Sequence, residues 1–191
     1  MAIRIVEESP SSLRSYATIP ISFLVDKRFM VRPVDAGQAG LRLAIEPVEP
    51  PYMKDYDLDP GEGPANWGAK WDISKWGIFA AFDGDRRVGG AAIAWNTPSI
   101  AMLGARGDAA ALWDIRVLAD YRRQGVGSQL FAHAAAWARA RGCTQLKAET
   151  QNVNVPACHF YARLGCTLAS VDPLAYPGKP EEVQFIWAQW L

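Results

Sequence analysis

Apolar positions in the first half of the chain fall into short runs set apart by turn residues. "ISFLVDKRFMV" (21–31) and "LRLAIEPV" (41–48) flank the turn-like "DAGQAG", which predicts a strand pair. "WGIFAAF" (76–82) and "RRVGGAAIAW" (86–95) enclose Asp83-Gly84-Asp85, a hairpin signal, and "AAALWDIRVL" (109–118) reads as another buried strand. From Gly125 to Arg141 the period becomes helical. Val126, Leu130, Ala134 and Trp137 mark one apolar face, and Gly142 supplies the stop. "TQLKAET" (144–150) returns to alternation, with Leu146, Ala148 and Thr150 on one side. "VPACHFYARLG" (155–165) is a second helix with Ala157, Phe160 and Leu164 as its expected buried stripe. "CTLASV" (166–171) and "EEVQFIWAQWL" (181–191) close the chain as strands.

Two segments fit no period. Residues 1–20 read as an irregular extension with a short helix around "SSLRSYATI", and residues 49–75 as a long irregular stretch rich in proline, glycine, aromatics and acids. Long irregular segments in compact domains are more often functional than decorative. With no repeat, low-complexity tract or linker, the order of elements predicts one mixed α/β domain over residues 1–191.

Composition narrows the function classes. The apolar share is 50% and the charged share 21%, as in an ordinary globular protein. Lys plus Arg and Asp plus Glu number 20 each, which argues against a chain committed to nucleic acid. "MAIRIVEESP" lacks the apolar core of a secretory signal, and no apolar run reaches membrane-spanning length, so the expectation is a cytoplasmic protein without a membrane partner. Cys143, Cys158 and Cys166 are outside any metal-ligand spacing, and with His133 and His159 they predict no metal site. Of 8 tryptophans, Trp67, Trp71 and Trp76 crowd one segment, which suits core packing or a pocket for aliphatic or cationic groups.

"ADYRRQGVGS" (119–128) is the first candidate for chemistry. It follows a strand and opens a helix, where unpaired N–H groups and the positive dipole end can hold phosphate. No Gly-Lys-Ser/Thr follows, so it is not a Walker loop, and a dinucleotide fingerprint lacks its third glycine. Plain punctuation is the competing reading. In "TQNVNVPACHFYARLG", Asn154 and Tyr161 share one helix face, while Asn154 and Pro156 also suit a helix start.

Arg122-x-x-Gly125-x-Gly127, followed by Asn154-x-x-Ala157-x-x-Phe160-Tyr161 with Gly165, resembles the two signatures of the GNAT superfamily of acetyl-CoA-dependent N-acetyltransferases. The likeness covers roughly residues 20–191, strand order included. "PYMKDYD" (51–57), "WDIRVLADYRRQGVG" (113–127) and "AETQNVNVPACHFYARLGCTL" (148–168) further resemble streptothricin (nourseothricin) acetyltransferases. That implies a small cationic acceptor, acetylated in its β-lysine part, and a role in antibiotic resistance.

The resemblance also implies the fold: a mixed, mostly antiparallel central sheet with two splayed parallel strands, here "LWDIRVL" and "QLKAET", and flanking helices. Acetyl-CoA would lie in the gap, with the backbone of Ile115 and Val117 on the pantetheine arm. Arg122, Arg123, Gln124, Gly125, Val126, Gly127 and Ser128 would hold the pyrophosphate. Asn154, Ala157, Phe160 and Tyr161 complete the expected cofactor contacts. A backbone N–H near Val117 would polarise the acetyl carbonyl. The amine would attack directly, leaving the three cysteines no nucleophilic role. Tyr161 would be the general acid, and Asp114 or Glu149 the base. Acceptor recognition is expected from Tyr52, Asp55, Tyr56, Trp113 and Asp114, with Asp57, Asp59, Trp67 and Trp71 nearby in sequence and Asp172 and Tyr176 on a later loop. Two alternatives stay open, another acceptor (a polyamine, an aminoglycoside, an amino acid or a protein N-terminus) and a non-catalytic acyl-CoA sensor; a homodimer built on the tryptophan-bearing C-terminal strand is a further expectation.

Overall fold

The computed structural model describes residues 2–59, 61–104 and 106–191. Along the chain the strands and α-helices are β1 (Ile3–Glu8), α1 (Leu13–Tyr16), β2 (Phe23–Pro33), β3 (Leu41–Lys54), α2 (Trp67–Lys70), β4 (Gly77–Asp83), β5 (Arg86–Trp95), β6 (Ala109–Val117), α3 (Val126–Arg139), β7 (Gln145–Gln151), α4 (Val155–Arg163), β8 (Thr167–Asp172) and β9 (Gln184–Trp190). They form two compact units. The first holds residues up to Ile21, Asp55–Ala148 and Ala188–Leu191; the second holds Ser22–Lys54 and Glu149–Trp187.

In the first unit the strand order is β1-β4-β5-β6-β7, antiparallel except for the parallel pair β6 and β7. Gly84 and Asp85 make the two-residue turn between β4 and β5, as the hairpin signal predicts. Small residues dominate the middle of this sheet: Ala80, Ala81, Ala91, Ala92 and Ala94 are wholly buried. That lets helices approach closely. Adjacent residues of a strand face opposite ways, and Gly89 and Gly90 clear one face each. A Cβ at Gly89 would meet Leu130 of α3 at 3.2 Å, and one at Gly90 would lie 2.4 Å from the Tyr16 ring of α1. On the α3 side Val126, Leu130, Ala134 and Trp137 are buried as the helical period predicts. On the α1 side a core gathers Leu13, Tyr16, Trp67, Trp76 and Ile78 over Ala92, Ala94 and Ala111.

The second unit carries the long β2–β3 hairpin, α4, and β9 between the end of β7 and β8. Asn152, 2% exposed, fastens its pieces: its Nδ2 donates to the carbonyls of Phe29 (3.0 Å) and Glu181 (3.2 Å), and its Oδ1 accepts from the Val183 N–H at 2.9 Å.

The structure corrects the sequence reading at three places. Residues 1–20 are not irregular. "IRIVEE" pairs along β4 with Ile5 opposite Ala81, a strand too short and too charged to stand out by alternation. Residues 49–75 begin as strand, since β3 runs on through Pro50 and Pro51 to Lys54; two 3-10 turns (Tyr56–Leu58, Pro64–Asn66) and α2 follow. In α4 the buried residues are Val155, Cys158 and Tyr161, while Ala157, Phe160 and Leu164 are half-buried. The face one position round the helix is the one that meets the core.

Candidate active site

In the first unit, the segment between β6 and α3 has the shape of the anion cradle that the sequence suggests. The backbone takes left-handed φ at Arg123 (66°) and Gly125 (84°), turning sharply into α3. Gly125 is the cap residue and offers no side chain to the first-turn N–H groups of Val126, Gly127 and Ser128, and no acid stands in that turn. Arg122, Arg123 and Gln124 are exposed. The Arg122 Nε donates to the Val117 carbonyl at 3.0 Å, tying the cradle to the end of β6, and the Gln124 amide donates to the Asp120 carbonyl at 2.6 Å. An N-terminal helix end with flanking arginines and no acid in its first turn fits a diphosphate. The parallel ladder from β6 to β7 runs from Ala109↔Gln145 to Leu112↔Ala148, while β6 continues to Val117. Asp114 to Val117, with Ile115 among them, thus pair with β5 on one edge and lie beyond the β7 ladder on the other, while Trp113 falls at a bulge in the β5 pairing.

Asp114 sits in a network that the sequence does not announce. The Arg116 side chain is 1% exposed. Its Nε and Nη2 donate to the two oxygens of Asp114 at 2.9 and 2.6 Å, and the Tyr16 hydroxyl donates to Asp114 as well. Arg116 also donates to both oxygens of Asp57, at 2.8 and 3.2 Å, and to the Ile19 carbonyl at 3.0 Å. Burial opposes its charge, yet Asp114 and Asp57 outweigh burial and hold the guanidinium pKa above its ordinary value. Burial, then the Asp114 charge, raise the Tyr16 phenol. A single guanidinium thus faces two carboxylates, Asp114 and Asp57, and the trio keeps one formal negative charge in excess. Asp55 accepts from the Asp57 N–H at 3.0 Å and starts the 3-10 turn, and Tyr56 is half-buried.

The tryptophans divide by role. Trp67, 2% exposed, is core, and its indole donates to the Glu62 carbonyl at 2.9 Å. Trp71 and Trp113 are half-buried and meet edge to face, ring centres 4.7 Å apart, with the Lys70 ammonium 5.6 Å from the Trp71 ring centre. A cation already rests on this aromatic surface.

In the second unit, Glu149 stands near the end of β7. Its Oε1 accepts from the Tyr176 hydroxyl at 2.6 Å and its Oε2 from the Gln184 amide at 2.9 Å; the Gln151 amide donates to the Tyr176 oxygen at 3.0 Å. Burial raises the Glu149 pKa, and the Tyr176 and Gln184 donors pull the other way without cancelling it. Asn154 caps α4, accepting from the Ala157 N–H at 3.1 Å. Tyr161 is 4% exposed, its ring at 28° to that of Trp187 with centres 6.4 Å apart, and Phe160 lies edge-on to it. Tyr52 is exposed and lines a cavity of about 290 Å³ with Arg28, Glu181 and Glu182. Asp172 is exposed and accepts from the Leu174 N–H at 2.8 Å, shaping the loop that carries Tyr176.

The expected residues thus fall into two groups. The cradle, Asp55, Tyr56, Trp113, Asp114, Ile115 and Val117 belong to the first unit; Tyr52, Glu149, Asn154, Ala157, Phe160, Tyr161, Asp172 and Tyr176 belong to the second. Arg116, Tyr16 and Gln184 were missed. An arginine inside an otherwise apolar strand, two residues from an aspartate, is the one sequence signal that could have flagged the buried pair. Burial pushes the thiols of Cys158 and Cys166 up to about 11 and raises that of Cys143. No group of His, Cys, Asp and Glu suited to a metal occurs among the described residues, and no described helix is long and apolar enough to cross a membrane.

Known proteins bear on this geometry. The "Acetyltransferase (GNAT) family" profile matches residues 49–166. A streptothricin acetyltransferase of Streptomyces lavendulae is 32% identical over 153 residues, covering 78% of this chain and 75% of that protein. Among solved structures, nourseothricin acetyltransferase superposes with a TM-score of 0.76 at 27% identity, covering 100% of this chain and 99% of that one. A Bacillus anthracis str. Ames protein in complex with acetyl coenzyme A gives 0.77 at 27% identity, with 100% of both chains covered. With a mixed, mostly antiparallel sheet, a helix-end cradle and these relatives, the chain belongs to the GNAT acetyltransferase family and is an acetyl-CoA-dependent N-acetyltransferase.

Proposed function

We propose that this enzyme acetylates a primary amine of streptothricin-type antibiotics, in their β-lysine part, and thereby confers resistance. The observation that carries the reading is the 32% identity, spread over most of both chains, to the Streptomyces lavendulae streptothricin acetyltransferase. Residues 1–191 act in it as one catalytic domain, and the acceptor is a small cation.

Acetyl-CoA supplies the activated acetyl group. The N–H groups from Arg123 to Ser128, with Arg122, hold its pyrophosphate, and the open edge of β6 at Ile115 and Val117 receives the pantetheine arm. A backbone N–H there stabilises negative charge developing on the acetyl oxygen. A lysine-like amine has a pKa near ~10.4, so only about one part in a few thousand is free at pH 7, a handicap of roughly 4–5 kcal/mol. Some group must take that proton, directly or through water, and the candidates are Asp114 and Glu149. Asp114 is committed to Arg116, a permanent cation. Glu149 is held by neutral donors, and burial raises its pKa. We assign Glu149 this role and leave Asp114 a bracing one. Tyr161 donates a hydrogen bond that strengthens as the sulfur leaves. By ordinary values a phenol near ~10 is a weaker acid than a thiol near ~8.5, so full proton transfer follows departure.

The test is thiol release from acetyl-CoA in the presence of streptothricin, for wild type and Tyr161→Phe. The expected result is a fall in kcat of about 100-fold with acetyl-CoA binding retained. Unchanged turnover in Tyr161→Phe would remove Tyr161 from the chemistry. Release with spermidine or an aminoglycoside but not with streptothricin would replace the acceptor and keep the rest.

A further inference from the structure

The group around Glu149 is more elaborate than a proton acceptor by itself needs. Each carboxylate oxygen has its own neutral donor, Tyr176 and Gln184, and the Tyr176 oxygen is itself held by Gln151. These partners come from three segments: Gln151 from β7, Gln184 from β9, and Tyr176 from the loop joining β8 to β9. The loop is fastened along its length. Asp172 accepts the Leu174 N–H at its start, Glu181 pairs with Arg28 at 2.7 Å, and Glu182 pairs with Lys54. Glu149 and Tyr176 are half-buried, so the carboxylate is partly desolvated and still reachable.

We infer that Tyr176 is a positioning residue for the reaction: its hydroxyl, braced by Gln151, fixes the orientation in which Glu149 meets the acceptor amine. This rests on the assignment of Glu149 as the proton acceptor. Without the Tyr176 hydroxyl one oxygen loses its partner and the carboxylate can rotate about its terminal bond, a broad and soft torsion. Burial still disfavours the ionised form, and one of the two donors opposing it is gone. The groups acting on Glu149 are its burial, Tyr176 and Gln184. Of the charged residues on the loop, Glu181 and Glu182 are engaged by Arg28 and Lys54, and Asp172 and Lys179 are exposed.

The sign follows from that arrangement. Tyr176→Phe raises the Glu149 pKa, so the acid limb of kcat/KM moves to higher pH, by about one unit for a hydrogen bond to a charged group. The acceptor amine titrates identically in both enzymes and cannot produce the difference. The experiment measures kcat/KM against pH, with streptothricin as acceptor, for wild type, Tyr176→Phe, Gln184→Met and Glu149→Gln, with KM for acetyl-CoA and thermal melting alongside. We expect Tyr176→Phe and Gln184→Met to shift the acid limb in the same direction with KM for acetyl-CoA unchanged. Glu149→Gln should lose most turnover. An inactive Glu149→Gln beside an unshifted Tyr176→Phe would overturn the inference and keep Glu149 as base. A Glu149→Gln enzyme as fast as wild type would overturn the base assignment, and the inference with it. Should Tyr176→Phe melt early, Gln151→Met, which removes the brace on the Tyr176 oxygen, decides instead, and an unshifted acid limb there overturns the inference.

Discussion

At the scale of single residues, the same side-chain type takes different work according to what holds it. Asp114 and Glu149 look equivalent in sequence, each a carboxylate inside a predicted strand. In the structure Asp114 is half of an ion pair with a guanidinium that is 1% exposed, whereas Glu149 accepts only from a phenol and an amide. Burial raises the Glu149 pKa against the pull of those two neutral donors. The cysteines make a similar case. A thiol with a pKa of about 11, as at Cys158 and Cys166, is ionised to roughly one part in a thousand at pH 8. Since the raised value delays thiolate formation, alkylation should be slow at pH 8 and accelerate about tenfold for each unit of pH above it. Iodoacetamide at pH 8 should leave acetyl transfer intact. Inactivation in step with the modification of one cysteine would contradict direct transfer to the amine.

At the scale of elements, Arg116 joins three segments that are remote in sequence: β6, which carries it and Asp114; α1 with the Ile19 carbonyl that follows it; and the 3-10 turn containing Asp57. Removing the guanidinium leaves Asp114 buried without its counter-charge. Arg116→Ala should therefore lower the unfolding free energy by about 3–5 kcal/mol in urea titration, and Arg116→Lys by less, since a lysine keeps the charge and loses the fork. A loss under about 1 kcal/mol for Arg116→Ala would show that the network carries little. The sequence made most of this architecture legible. The β4–β5 hairpin, β6, α3 and β7 lie within a few residues of where periodicity puts them, because apolar pattern and turn chemistry agree there. β1 was hidden by its length and charges. The extent of β3 was hidden by Pro50 and Pro51, which read as breakers. The α4 stripe came out one position off, because Phe160 and Cys158 are equally apolar and only packing chooses between them. Arg116 was illegible because a buried arginine is recognisable only from the carboxylates folded around it.

For the molecule as a whole, zero formal charge supplies no net field to draw in a charged partner, so a charged ligand would be met through local groups. Family membership and dependence on acetyl-CoA stand together. The acceptor is the central claim beyond them. Its most direct test is to incubate the enzyme with acetyl-CoA and streptothricin and weigh the antibiotic by mass spectrometry, fragmenting it to place the addition. The account predicts a gain of one acetyl group, located on the β-lysine part and absent without enzyme. An antibiotic recovered at its original mass, while acetyl-CoA binds tightly, would contradict it.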